Sequence, residues 1–202
     1  MTTKKFGFDL DNTLIDYSQS TIEYCKLNSL PVYTTLKDFR QFLKYEQNDD
    51  ENWQSAQAWL YTEGLNYACL NNGVNEFFKL LAQNGFDVSI ISHKTSHTQE
   101  KHGCQELHLR TLEWLSSRIE SKFFEIKENI YLEPTKHSKI QRIRTLKIDY
   151  FVDDLIEILT DENFPKTTIR YLLSSEKQYN LPHGIKSVSN FKEISIELNL
   201  PI

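Results

Sequence analysis

Short runs of hydrophobic residues divide the chain into stretches that end abruptly at polar side chains. The first run reaches Phe8 and stops at Asp9, and a later one stops at Ser92. Apolar runs of this length, bounded by polar residues, are typical of buried strands. Four such strands are predicted, at about residues 6–8, 86–91, 148–152 and 167–173.

Hydrophobic residues also recur at helical spacing between and after these runs. Val74, Phe77, Phe78 and Leu81 predict a helix that ends at the Asn84-Gly85 pair. Two further helical faces are formed by Ile140, Ile143 and Leu146, and by Phe191, Ile194 and Leu198. Strands that alternate with helices predict an α/β fold, here a Rossmann-like, doubly wound and mostly parallel sheet with right-handed crossovers.

The segment between the first two predicted strands is longer than one crossover requires, because a βαβ unit takes only about 30 residues. The excess, residues 16–72, is rich in aromatic residues. We expect a small helical cap inserted after the first strand, with an aromatic core of its own, lying over the mouth of the sheet. Extra helices flanking the sheet are the alternative. The predicted domains are an α/β core of residues 1–15 and 73–202 and a cap of residues 16–72.

Four aromatic residues of the cap allow two interpretations. Trp53, Trp59, Tyr61 and Tyr67 could stack on a ring of the substrate, but the favoured interpretation is that they form the core of the cap itself. The two connections between cap and core lie near residues 16–18 and 71–73. Gly73 is the candidate hinge between them.

Composition excludes several broad classes of protein. The 202 residues include 25% charged and 39% hydrophobic residues, which is ordinary for a globular domain and favours neither disorder nor a membrane span. A net charge of −5 argues against binding of a nucleic-acid polymer. Cys25, Cys69 and Cys104 lack metal-type spacing and predict reduced thiols. With too few apolar residues near the N-terminus for a signal peptide, a cytoplasmic location is expected.

Acidic residues follow two of the predicted strands. Asp9 and Asp11 come after the first, and Asp153 and Asp154 come after the third. Charge at a strand end is costly unless a cation or ligand compensates it, and ligands of open α/β sheets bind at strand carboxyl ends. These residues are therefore site candidates, although Asp153 and Asp154 could also cap a helix.

Four motifs in this order resemble those of the haloacid dehalogenase-like (HAD-like) hydrolase superfamily. The family's aspartate-x-aspartate-x-threonine motif is similar to residues 9–13, in which Thr13 is the last member. Its serine or threonine at the end of the next core strand matches Ser92, and its acidic pair matches Asp153 and Asp154. A lysine precedes that pair, and Lys139 is favoured over Lys136 because a helical face follows it. The resemblance covers about two thirds of the chain and leaves the cap unassigned.

The resemblance implies a magnesium-dependent phosphatase that hydrolyses a small phosphate monoester. Asp9 would attack phosphorus to form an aspartyl phosphate, and Asp11 would act as general acid and base. The resemblance further implies that Ser92 and the lysine hold the phosphoryl oxygens. The implied magnesium ligands are Asp9, the backbone carbonyl of Asp11 and Asp154, with Asp153 acting through water or a hydrogen bond. Other candidate contacts to the substrate are Thr13, His93, Lys94 and Lys136.

Several alternatives remain open at the level of sequence. A phosphotransferase would use the same residues, and a non-catalytic phosphate-binding or regulatory module could retain the same fold. The histidines around residue 97 also raise the possibility of a zinc site with Cys104, but their spacing lacks a compact structural pattern. These histidines are His93, His97, His102 and His108. The expected partner is a small phosphorylated metabolite, and the oligomeric state is not predicted.

Overall fold

A six-stranded parallel sheet forms the centre of the molecule, seen in a computed structural model that describes residues 3–120 and 126–200. The strands lie in the order β5-β4-β1-β6-β7-β8, and every neighbouring pair is parallel. Their bounds are β1 Lys5–Phe8, β4 Asp87–His93, β5 Ile130–Glu133, β6 Tyr150–Asp153, β7 Ile169–Leu173 and β8 Ile185–Val188. Because β1 lies between β4 and β6 and the three strands are parallel, the residues that follow them meet at the carboxyl end of the sheet.

Helices cover both faces of this sheet. They are α4 Val74–Gln83, α5 Leu107–Arg118, α6 Ile126–Asn129, α7 Lys136–Leu146, α8 Ile156–Leu159 and α9 Phe191–Glu197. One hydrophobic cluster joins Phe6 and Phe8 to Phe77 of α4, and a second joins Phe151 to Ile140 of α7. The two clusters follow from strand geometry, because successive side chains of a strand point to opposite faces.

Gly7 of β1 allows the two central strands to pack closely with their side chains. A Cβ atom at this position would lie 2.6 Å from Cδ2 of Phe151 on β6. Such a contact is far inside van der Waals distance, so any larger residue would displace the Phe151 ring. Strand β1, which leads to Asp9, therefore packs beside Phe151 of β6 because Gly7 has no side chain.

A helical segment leaves and re-enters the core through a two-stranded antiparallel ribbon. Ile15–Asp16 (β2) pairs with Cys69–Leu70 (β3), and the backbone N–H of Asn71 also donates to the carbonyl of Leu14 at 2.8 Å. We call residues 17–68, between these strands, the helical insertion. It contains α1 Ser18–Leu27, α2 Leu36–Arg40, a π-helical continuation Gln41–Glu46, α3 Asp50–Leu60 and a 3₁₀ turn Glu63–Asn66.

Aromatic side chains build the interior of the helical insertion. Phe39 is fully buried, and its ring lies within 5.8 Å of the rings of Tyr24 and Tyr33. Trp59 contacts Tyr24 on one side and stacks on Tyr67 on the other. The favoured interpretation of these residues as a core describes Trp59, which packs partly buried against the core. It does not describe Tyr67, which is 46% exposed, and it describes only part of the role of Trp53 and Tyr61, which also line the cleft described below.

The predicted fold class is confirmed, with a parallel sheet flanked by helices. The predicted helix from Val74 ends at Gln83, and Gly85 follows it with a φ of 72°. Strands β5 and β8 were not predicted from the sequence. The domain boundaries at residues 15–16 and 72–73 stay predictions, and residues 1–2, 121–125 and 201–202 of the predicted core lie outside the described residues. No helix in the described ranges is both long and apolar enough to cross a bilayer.

Candidate active site

A cleft of about 960 Å³ opens where the strand ends meet the helical insertion. Asp9, Ser92 and Asp154 line it from the core, and Trp53 and Tyr61 line it from the insertion. The order of the strands explains this arrangement, because β4, β1 and β6 are neighbours in the sheet and their carboxyl ends point to the same side. The cleft therefore brings together residues that are far apart along the chain.

Asp9 is held in one orientation by two donors. Its Oδ1 atom accepts hydrogen bonds from Ser92 Oγ at 3.1 Å and from Lys139 Nζ at 2.6 Å. Its backbone N–H continues the β1–β6 ladder by donating to the carbonyl of Val152 at 2.8 Å. The carboxylate is buried with 5% exposure, and within the described part of the chain its Oδ2 atom has no hydrogen-bond donor. One carboxylate oxygen is thus fixed and the other is free to react or to bind a cation.

Lys139 bridges two carboxylates inside the protein. Its ammonium group lies 2.6 Å from Asp9 Oδ1 and 2.6 Å from Asp153 Oδ2, and the residue is 1% exposed. Burial alone lowers the pKa of this lysine, but Asp153 and then Asp9 raise it above its usual range. Lys139 therefore stays charged. Lys139 lies in the first turn of α7, and the capping box formed by Thr135 and Ser138 fixes the start of this helix at Lys136, three residues before Lys139.

Asp9, Asp153 and Asp154 form a compact group of carboxylates. One oxygen of each lies within 4.8 Å of the others, and this is the one group of three or more potential metal ligands in residues 3–120 and 126–200. Burial, with a further contribution from Asp9, raises the pKa of Asp153 to about 7 although Lys139 opposes the shift. Burial, Asp153 and Asp9 together raise the pKa of Asp154 well above its usual range. A cation bound among these carboxylates would reduce their mutual repulsion and so favour their ionised forms.

Asp11 has a separate set of partners. Lys94 Nζ donates to both of its carboxylate oxygens, at 3.0 and 2.7 Å, and the Tyr17 hydroxyl donates to Oδ1 at 2.7 Å. The Lys94 ammonium also lies 3.7 Å from the centre of the Tyr61 ring. Burial and the Asp11 charge raise the pKa of Tyr17 well above its usual range, so this hydroxyl remains a donor. Tyr17 and Tyr61 belong to the helical insertion, which therefore supplies part of the environment of Asp11.

The remaining candidate contacts to the substrate are dispersed. His93 lines the cleft, and loss of hydration around its ring, followed by the Lys139 charge, lowers its pKa. Lys136 also lines the cleft, but its Nζ atom lies 3.5 Å from Glu157 and not beside Asp9. Thr13 is fully buried outside the cleft, and its hydroxyl has no hydrogen-bond partner among the described residues. Between the two candidate lysines, the structure places Lys139 beside the acidic residues.

The histidines that raised the possibility of zinc do not converge. His97 Nε2 pairs with Glu106 at 3.0 Å, whereas His108 Nε2 contacts the carbonyl of Lys94 at 2.8 Å. Neither they nor His93 and His102 belong to a group of close metal-ligating atoms in the described ranges. The contacts of His97 and His108 instead lie within the segment after β4, which carries Lys94.

Five residues at or beside the cleft make contributions that the sequence did not assign. Tyr17, which does not line the cleft, donates to Asp11, and Tyr61, considered only as a possible stacking surface for substrate, contacts Lys94; both contacts depend on tertiary packing. The other three are the basic residues Lys37, Arg40 and Lys44, which line the cleft from the helical insertion. Their spacing along one helix was the available signal.

No protein-family model and no curated protein matches the sequence. Solved structures do resemble the fold closely along its length. A haloacid dehalogenase-like family hydrolase from Streptococcus pneumoniae superposes with a TM-score of 0.62 and 14% identity, covering 97% of this chain and 98% of the other. A predicted phosphatase from Clostridium acetobutylicum gives 0.63 and 14%, covering 98% and 99%.

A third solved structure contains a ligand. It is a HAD family hydrolase from Deinococcus radiodurans R1 with bound phosphate and sodium, with a TM-score of 0.54, 13% identity and coverage of 97% and 95%. At this level of identity the likeness establishes the fold. The chain has the haloacid dehalogenase-like fold over nearly its whole length, whereas the four sequence motifs predicted it for about two thirds of the chain.

Proposed function

We propose that this protein is a magnesium-dependent phosphatase that hydrolyses a small phosphate monoester through an aspartyl-phosphate intermediate on Asp9. The observation that carries the proposal is the geometry around Asp9: one carboxylate oxygen is held by Ser92 and Lys139, and the other has no described donor. The same residue belongs to a group of three carboxylates, of which Asp9 and Asp154 line the cleft and Asp153 is fully buried. A nucleophile, two donors and a candidate cation site thus coincide.

The donor set fits magnesium. Carboxylate oxygens are the ligands that this ion prefers, and neither imidazole nor thiolate belongs to the group. Asp9 and Asp154 would hold the ion, and the resemblance of the motifs adds the backbone carbonyl of Asp11. Asp153, whose Oδ2 accepts from Lys139 and whose Oδ1 accepts from the backbone N–H of Leu155, would act through water or a hydrogen bond. When bound, the ion supplies positive charge that reduces the repulsion between an anionic phosphate and an anionic nucleophile.

Asp9 performs the first chemical step. Its free Oδ2 atom attacks phosphorus, a new oxygen–phosphorus bond forms, and the bond from phosphorus to the ester oxygen breaks. Ser92 and Lys139 already lie within hydrogen-bonding distance of Asp9, so they are placed to donate to phosphoryl oxygens beside it. Water then attacks the aspartyl phosphate, which releases inorganic phosphate and regenerates the carboxylate.

Asp11 moves the proton in both halves of the reaction. Its carboxyl gives a proton to the departing ester oxygen and later takes one from the attacking water. Lys94 and Tyr17 fix the orientation of this carboxyl through their hydrogen bonds. Asp11 lines the same cleft as Asp9, so the proposed proton donor and the proposed nucleophile share one cavity.

Turnover of a panel of phosphate monoesters tests the proposal. The parent protein should release phosphate only when magnesium is present, and Asp9→Asn should abolish release while the thermal unfolding midpoint stays close to that of the parent. When the reaction is quenched with acid after a short incubation, mass spectrometry should detect phosphate covalently bound to the parent protein and not to Asp9→Asn. Absence of magnesium-dependent turnover across the panel would favour a non-catalytic phosphate-binding module. Transfer to an added alcohol in excess of hydrolysis would identify a phosphotransferase.

A further inference from the structure

One side of a helix in the insertion presents three basic residues to the cleft. Lys37, Arg40 and Lys44 lie on α2 and its π-helical continuation, at spacings of three and four residues that place them on one side. Each follows by one position a buried apolar residue, namely Leu36, Phe39 and Leu43. Packing of the apolar side into the interior of the insertion therefore turns the basic side toward the cleft.

Charge is sorted between the cleft wall and the remaining surface of the insertion. Three of the insertion's four basic residues line the cleft, and none of its seven acidic residues does. The acidic residues are Glu23, Asp38, Glu46, Asp49, Asp50, Glu51 and Glu63. In a protein with a net charge of −5, a wall that carries only positive side chains creates a local field that attracts anions.

The basic residues are poorly neutralised by the protein itself. Arg40 Nε is buried and has no hydrogen-bond partner within residues 3–120 and 126–200, while the guanidinium carbon lies 6.0 Å from the Trp53 ring. Lys44 Nζ lies 3.5 Å from Asp50, whose side chain is largely exposed, so solvent weakens this pair. Since Nε is shielded from solvent, an anion in the cleft would bind the terminal nitrogens of the guanidinium, whose charge has no ion pair within the described part of the chain.

The cleft has room for more than a phosphate group. Its volume of about 960 Å³ is near the upper end of the range for small-molecule sites, roughly 300–1,000 Å³. Trp53 and Tyr45 add aromatic surface beside the basic residues. The catalytic group at the strand ends and the basic side of the insertion thus belong to one cavity, with apolar surface available between charged groups.

We propose that the cleft selects organic phosphates whose leaving group carries a second anion, either a carboxylate or another phosphate, and that Arg40 binds this anion together with Lys37 and Lys44. The inference rests on the proposed function, because it specifies the class of substrate for the same site. The guanidinium of Arg40 suits either anion, since its planar set of donors matches two oxygens at once.

Matched alkyl phosphates test the proposal. Butyl phosphate, 4-phosphonooxybutanoate and butane-1,4-diol bisphosphate share a chain length and differ in the terminal group. The parent protein should show a kcat/KM at least about tenfold higher for one or both substrates with a second anion, a difference that corresponds to about 1.4 kcal/mol. Arg40→Gln should remove most of this preference through KM, and Arg40→Lys should restore part of it. Preference for the carboxylate or the bisphosphate distinguishes the two anions.

Lys26→Gln is the matched control, because Lys26 is the one basic residue of the insertion that does not line the cleft. This variant should keep the full preference of the parent, and it should hydrolyse butyl phosphate within about twofold of the parent. Equal kcat/KM for the three substrates in the parent would overturn the proposal. Retention of the preference in Arg40→Gln, Lys37→Gln and Lys44→Gln would overturn it equally.

A binding measurement separates this inference from the proposed function. Calorimetric titration of the parent with butane-1,4-bisphosphonate and with butylphosphonate, in magnesium buffer, requires no turnover. Tighter binding of the bisphosphonate that is lost in Arg40→Gln would support the anion site even if no ester is hydrolysed, in which case only the phosphatase proposal fails. Equal affinity for both phosphonates would refute the anion site whether or not the protein is a phosphatase.

Discussion

The ammonium group of Lys94 lies 2.7 Å from Oδ2 and 3.0 Å from Oδ1 of Asp11, so it spans the carboxylate. Lys94 is only 3% exposed, and the face of Tyr61 lies on the same ammonium group. A buried cation held this way fixes the direction of its partner. We therefore infer that Lys94 is a positioning residue for Asp11, and the contact to substrate that the sequence suggested stays a prediction.

Lys94→Met should slow the hydrolysis of a substrate most when its leaving oxygen must be protonated. An alkyl phosphate requires protonation of its leaving oxygen, and kcat should fall by about 100-fold, the lower end of what general acid catalysis contributes. For 4-nitrophenyl phosphate, whose leaving group departs as the anion, the fall should be below about tenfold. Steady-state kinetics on both substrates measure the difference.

The double variant Lys94→Met with Asp11→Asn is the control for this prediction. If Lys94 acts through Asp11, the double variant should be no slower on the alkyl phosphate than Asp11→Asn alone, because both changes remove the same function. An equal rise in KM for both substrates in Lys94→Met would instead identify a direct contact to the phosphate.

Lys139→Met should destabilise the folded protein strongly. The change leaves Asp9 and Asp153 without the ammonium group that lies 2.6 Å from each, and breaking a buried ion pair typically costs about 3–5 kcal/mol. Urea unfolding in EDTA measures the loss. Lys136→Met is the matched control on the same helix, and it should change the free energy of unfolding by no more than about 0.5 kcal/mol, since its side chain is 49% exposed. Similar losses in the two variants would contradict the central place of Lys139.

Asp154→Asn should stabilise the protein without magnesium and destabilise it, relative to the parent, with magnesium. The folded-state pKa of Asp154 is raised, so the protonated form contributes stability below the unfolded pKa of about 4, and that stability is lost as pH rises through the folded pKa. Asparagine resembles the protonated acid at every pH. In EDTA the two unfolding midpoints should coincide near pH 4 and separate as pH rises to 8, with the variant higher.

Addition of magnesium at pH 8 should reverse this order. The parent gains stability in proportion to the logarithm of ion concentration, because the ion binds the folded carboxylate group. The variant lacks one of the three carboxylates and should gain little. Differential scanning fluorimetry over a magnesium series measures both curves, and parallel curves would show that Asp154 is not a ligand.

Gly7→Ala should lower stability by about 1–3 kcal/mol, the usual range for overpacking a core. The added Cβ would meet Cδ2 of Phe151 at 2.6 Å. Phe151→Leu in the same protein should recover part of the loss, because the smaller side chain makes room. A double-mutant cycle from urea unfolding gives the interaction energy, and strict additivity of the two losses would contradict a clash between these positions.

The sequence predicted the central strands and their acidic ends because both signals are local. Each of the runs before Asp9, Ser92 and Asp153 ends in two or three apolar residues directly before the polar side chain, as is typical of buried strands of a parallel sheet. The edge strand β5 escaped prediction since all four of its residues are only partly buried, and β8 since only its two end residues, Ile185 and Val188, are buried. Short strands at a sheet edge carry too weak a hydrophobic pattern to be recognised alone.

The partners of the acidic residues were predictable to different degrees. Lys139 could be favoured because the helical face after it leads directly to β6, which fixes its position relative to Asp153. The contact of Lys94 with Asp11 joins residues 83 positions apart, and it depends on the direction of a side chain beyond the end of β4. Tyr17 and Tyr61 depend in addition on how the insertion folds back on the core, which no local pattern specifies.

Because an antiparallel ribbon joins the insertion to the core, the insertion could be replaced by another segment without changing the core sheet. Ile15 and Leu70 are direct partners across the ribbon, so the chain leaves and returns at neighbouring points. Antiparallel partners lie about 5 Å apart, and any segment whose ends meet at that spacing could be grafted there without altering the order of the six strands. Such a graft would replace the basic wall of the cleft, but it would also remove Tyr17 and Tyr61, so an altered substrate range would come with an altered setting for the proton-transferring carboxyl.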